Sequence, residues 1–183
     1  LKVIDFPDVI KKDLIKKFKP KDQNEVDSLL DFIENQSAEK NNKLSNFDFH
    51  KLRKNQKRGY KKWLENGNKG ILSHATGSGK TITALYCIKK LWDNDPKIIP
   101  MIIVPSVYLL EQWEQEINKF FNSESLSILK CGGGNKWSDY LSDWTDSSLS
   151  TQYRIIISTA DTSKNKDFIN RINTNSKLFL LSD

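Results

Sequence analysis

Methionine occurs once in these 183 residues, and histidine and cysteine twice each. Cys87 and Cys131 are too few and too unpatterned for a disulfide framework or a structural zinc site. They read as small buried hydrophobes of a reducing, cytoplasmic compartment. Long apolar runs are also missing. None approaches the roughly 20 residues that cross a bilayer, so no transmembrane helix and no membrane partner is expected. The opening "LKVIDFPD" has no charged start followed by an apolar stretch and is not a signal peptide. It lacks an initiator methionine too, so residue 1 is expected not to be the native start. What is present, 37% hydrophobic and 28% charged residues, suits a soluble globular chain with one substantial core.

The net charge of +6 is unevenly spread. Residues 1–70 hold 17 Lys and Arg against 11 Asp and Glu, whereas residues 71–183 hold 12 of each. The excess is densest in "KLRKNQKRGYKK", residues 51–62. Such a segment can meet phosphates. On charge alone, however, a solvated helix face is the preferred reading.

Hydrophobic spacing predicts two helices, "DVIKKDLIKKF" and "NEVDSLLDFIENQ", within residues 1–47, a helical segment or the end of a preceding domain. The polar "SAEKNNKLSN" has no periodicity and marks the expected boundary, leaving residues 48–183 as a separate domain. That domain opens with a helix through "FHKLRKNQKRGYKKWLENGNKG", carrying Leu52, Gln56, Tyr60 and Trp63 on one side. From there the rhythm alternates. Strands are predicted at "GILSHA", "KIIPMIIVP", "LSILKC", "YRIIIST" and "KLFLL". Helices are predicted at "KTITALYCIKKLWDN", "VYLLEQWEQEINKFF", "SDYLSDWTD" and "KDFINRIN", with "GGGNKW" as a turn. This order implies an α/β fold, a parallel sheet with helices on both faces.

Between the first predicted strand and its helix lies "HATGSGKT", residues 74–81. Gly77 and Gly79 let the backbone turn its N–H groups toward an anion, and the helix that follows adds its positive end. Lys80 can reach β- and γ-phosphates, and the Thr81 hydroxyl can ligate Mg²⁺. The pattern is G-x-x-x-x-G-K-[ST] with His74 at the first glycine position, where it reads as a spacer, not a catalytic base. Nucleoside-triphosphate binding follows.

In order along the chain, further segments share a pattern. "HATGSGKT" resembles motif I of superfamily-two helicases and translocases, and "IIVPSVYLLEQW" resembles their motif Ia. "IIISTADT" is similar to a later motif that touches nucleic acid. "LRKNQKRGYKKW" resembles the L-R-x-x-Q-x-x-A-x-x-x-W helix of the branch containing restriction motor subunits and repair helicases, with Gly59 in the alanine position. "LFLLSD" looks like the strand leading into the D-E-A-H box, cut after its first letter. The resemblance covers about residues 48–183 and implies a RecA-like phosphate-loop domain.

It also implies roles. Arg53 and Gln56 would contact the adenine of ATP, and Thr76, Gly77, Ser78, Gly79 and Lys80 would hold its phosphates. Thr81 and Asp183 would bind Mg²⁺, with Lys80 and Asp183 serving catalysis. Pro105, Ser106 and Thr159 would hold a nucleic-acid backbone, DNA in preference to RNA; Ser106 and Thr159 also suit plain helix capping. Lys57, Lys61 and Lys62 would lie on the outer side of their helix. The family's water-polarising glutamate and its second RecA-like domain fall outside the sequence. These residues are therefore expected to be a piece of a motor, sometimes joined to a nuclease, that hydrolyses ATP poorly alone. A phosphate-loop ATPase or kinase not acting on nucleic acid is the competing reading, and a non-catalytic binding module a third.

Overall fold

The computed structural model describes residues 51–73, 75, 77–121, 126–148 and 153–183. All belong to the second of two units into which the chain divides, Leu44–Asp183. The two helices predicted before residue 48 lie outside the described residues.

Helix α1 (Lys54–Glu65) and helix α2 (Lys80–Asn94) precede strand β1 (Ile99–Val104) and helix α3 (Val107–Phe120). Strand β2 (Leu126–Cys131), helix α4 (Leu141–Thr145) and strand β3 (Tyr153–Thr159) follow. The short helices α5 (Ala160–Ser163) and α6 (Lys166–Asn170) lead to strand β4 (Leu178–Ser182). The four strands form one parallel sheet in the order β2-β3-β1-β4.

Strands this apolar must be covered on both faces, and their alternation divides the core in two. Ile102, Val104, Ile155 and Ile157 face one side, where they meet Leu85, Ile88 and Trp92 of α2 and Leu110, Trp113 and Ile117 of α3. Ile99, Met101, Ile156 and Cys131 face the other, against Leu141 of α4 and Phe168 of α6. Each such aliphatic side chain contributes about 1.5–3 kcal/mol on full burial. Helix α2 is buried nearly all round, including Lys89, whose ammonium pairs with Asp93 at 2.9 Å. Tyr60 and Trp63 seat α1 on this body, with ring centroids 4.8 Å from Tyr86 and 5.9 Å from Phe179.

One predicted strand is absent. "GILSHA" forms no strand among its described residues: Leu72 packs on the core, but Ile71 is 94% exposed. Apolar character alone does not make a strand; its N–H and C=O groups need a ladder partner. Among the described residues β4 is thus an edge strand, with Leu180 exposed. No helix among the described residues is long and apolar enough to cross a membrane.

Candidate functional site

Gly79 precedes the first residue of α2 with φ 86°, and Gly77 has φ 76°, both in the region that favours glycine. At Gly79 a β-carbon would also collide with the Gln56 amide. Three side chains at the start of α1 hold this loop by consecutive carbonyls. Arg53 Nη1 donates to Gly77 O (3.4 Å), Asn55 Nδ2 to Ser78 O (3.3 Å) and Gln56 Nε2 to Gly79 O (3.2 Å). Gln56 is buried, and its Oε1 accepts from the Arg53 amide at 2.8 Å.

A trans peptide unit is planar, so a carbonyl turned toward α1 turns the next N–H away from it. No cis peptide occurs among the described residues. The amides of Ser78, Gly79 and Lys80 therefore point to the far side of the loop. Ser78 N closes a turn on Ala75 O at 3.2 Å. Those of Gly79 and Lys80 head the 15-residue α2, whose dipole favours an anion. Lys80 Nζ lies 3.5 Å from Ala75 O. His74 and Thr76 lie outside the described residues.

Thr81 and Asp183 line one cleft, together with Leu109, Gln112, Trp113 and Glu116. The Asp183 amide donates to Ile103 O at 3.0 Å, extending the ladder between β4 and β1. Its Oδ2 accepts from Trp113 Nε1 at 2.8 Å. A hydroxyl and a carboxylate are hard oxygen donors, and Mg²⁺ takes few protein oxygens beside water and phosphate. The residues present fit that ion. Among the described residues no group of three or more His, Cys, Asp or Glu gathers that could cage a metal by itself.

Pro105 and Ser106 follow β1 and are exposed, while Thr159 ends β3, where the register sets it opposite Val104. Ser106 Oγ accepts from Leu109 N at 3.3 Å and caps α3; Thr159 Oγ1 accepts from Thr162 N at 3.3 Å and caps α5. Capping is thus present at both. Thr159 itself is buried, with Ala160 and Asp161 exposed beside it.

Two sets of neighbours escaped the sequence reading. Gly132 and Gly133 join this edge: a β-carbon at Gly132 would lie 2.6 Å from Thr159 Oγ1, and one at Gly133 2.8 Å from Val107. Three successive glycines at a strand end were the available signal. Asn55 had none, because the motif helix leaves its position open. Lys57, Lys61 and Lys62 are exposed on α1, as the outer-face reading required.

Parallel strands with helices on both faces, a glycine loop heading one helix and an aspartate closing a neighbouring strand define a RecA-like α/β domain. The chain belongs to the family of type III restriction enzyme res subunits, which it matches over residues 49–183. It is 35% identical over 83 residues to the DNA 3'-5' translocase XPB2 of Sulfurisphaera tokodaii, covering 45% of this chain and 17% of that protein. It is 32% identical over 81 residues to the uncharacterized ATP-dependent helicase MG018 of Mycoplasma genitalium, covering 42% of this chain and 8% of that one. The chain thus spans less than a fifth of these relatives' length.

Proposed function

We propose that this chain is the ATP-binding motor domain of a nucleic-acid-dependent ATPase, a DNA helicase or translocase. One juxtaposition carries the reading: the loop amides facing away from α1, beside a cleft that Thr81 and Asp183 share. The amides of Gly79 and Lys80 and the Lys80 ammonium hold the β- and γ-phosphates, to which the resemblance also assigns Thr76, Gly77 and Ser78. Each end of the Gln56 amide has capacity for one bond beyond the one it makes to the chain. It can read an adenine edge while keeping the loop in place, with Arg53 next to it. Thr81 and Asp183 would hold Mg²⁺. Bound there, the ion neutralises charge on the phosphate oxygens.

Pro105, Ser106, Thr159 and the 132–134 glycines form the edge along which a nucleic-acid backbone runs, met by N–H groups at the start of α3. The relative named a DNA translocase supports DNA over RNA. The resemblance also supports a second RecA-like domain supplying arginines, a nuclease partner in a restriction, defence or repair system, and slow hydrolysis by these residues alone; the two unpatterned cysteines support a cytoplasmic setting. The competing ATPase or kinase reading is disfavoured by the helicase and translocase names of the relatives.

Titrating the chain and its Lys80→Ala variant with a fluorescent ATP analogue, then with single-stranded DNA at low salt, tests both halves. Loss of a charged hydrogen-bond donor should weaken nucleotide binding about tenfold or more and leave DNA binding intact. Absence of nucleotide binding by the native chain would sink the first half. Nucleotide binding without DNA binding would favour the competing reading.

A further inference from the structure

We infer that Trp113 is a positioning residue for the Asp183 carboxylate, an inference that rests on reading Asp183 as a group that meets Mg²⁺. Trp113 is 4% exposed, packed in α3 among Leu110, Ile117 and the strand side chains. A buried indole N–H needs an acceptor. The one it finds is 70 residues away in sequence: Asp183 Oδ2, at 2.8 Å.

Asp183 follows the last residue of β4 and lines the cleft. Its backbone is fixed by the bond to Ile103 O, and the indole fixes the remaining freedom. The donor is neutral, which matters. A lysine or arginine there would cancel the carboxylate charge, whereas an indole orients the group and leaves the charge for a cation. The indole takes one lone-pair site of Oδ2 and none of Oδ1, so Oδ1 is the oxygen chiefly offered to the ion or its water, in the cleft that Thr81 also lines. Partners of this outer kind change metal affinity by about 10–100-fold when removed.

The test measures binding of a fluorescent ADP against Mg²⁺ concentration, using the full chain as native, Trp113→Phe, Asp183→Asn and the double variant. Phenylalanine keeps the ring and removes the N–H. Trp113→Phe should raise the Mg²⁺ midpoint about tenfold, leave binding in chelator unchanged, and add nothing in the Asp183→Asn background. A midpoint within about twofold of native overturns the inference, and so does an equal shift in both backgrounds, which would mark plain packing. If the native chain binds no nucleotide in chelator or in Mg²⁺, the underlying reading has failed as a whole. If it binds equally in both, the role of Asp183 has failed and the inference with it. Should Trp113→Phe not fold, the indole ¹H–¹⁵N spectrum decides: one of five cross-peaks should move on Asp183→Asn, and five unmoved peaks overturn the proposal.

Discussion

Alanine at Gly79 should do more harm in the native chain than in a chain already lacking the Gln56 amide. Two separate penalties act in the native background. A φ of 86° costs an L-residue about 1–2 kcal/mol. The new β-carbon must also displace the Gln56 amide, which then gives up its bonds to Gly79 O and from the Arg53 amide, each worth about 1 kcal/mol. The expected total is about 3–4 kcal/mol. With Gln56→Ala already in place the collision is gone and only the backbone strain remains, about 1–2 kcal/mol. A double-mutant cycle in urea should therefore return a coupling of about 2 kcal/mol. For a chain of this size each kcal/mol lowers Tm by about 2–4 °C, so a melting series reads the same difference. Equal penalties in the two backgrounds would refute the argument that Gln56 occupies the space glycine leaves.

Three further outcomes are expected. Burial pushes the thiols of Cys87 and Cys131 up to about 12, so iodoacetamide at about pH 8 should label neither in the native chain and both in urea; rapid native labelling would contradict this. Thr159→Ala should cost about 1 kcal/mol through loss of the α5 cap, and Thr159→Ser much less, as read by denaturant midpoints. The hydrogen bond from Lys177, with a smaller one from the Lys97 amide, holds the Asp95 carboxyl below its ordinary value. A lowered carboxyl stabilises the fold above the usual carboxylate range near pH ~4, and that gain is lost as pH falls through the lowered value. Lys177→Met should therefore cost roughly 0.5 kcal/mol near neutrality, since the pair is partly exposed. The gap should close in acid, and one that persists there has another origin.

Most of the fold could be read from residue patterns, because the patterns and the packing agree. "LSILKC" and "YRIIIST" are β2 and β3 to the residue, and "KTITALYCIKKLWDN" is α2. Buried parallel strands show as apolar runs, and helices show by spacing. "GILSHA" failed for the same reason the others succeeded. The pattern reports a tendency to bury, whereas a ladder depends on which chain lies alongside. The four-residue α5 was invisible because its cause is one capping hydroxyl, Thr159, not periodicity. At the site, the glycines of the loop were legible through the backbone conformations that only glycine takes cheaply. The bonds from Asn55 to Ser78 and from Trp113 to Asp183 were not, since each joins positions far apart in sequence and depends on side-chain reach.

The outer margin of β4 has a practical consequence at the bench. Leu178, Phe179, Leu180 and Leu181 form an apolar run whose outer side pairs with no strand among the described residues, with Leu180 62% exposed. Such a margin is a template on which another molecule can lay down a strand. Concentrated samples of these residues should cluster, and a lysine at position 180 should keep them dispersed.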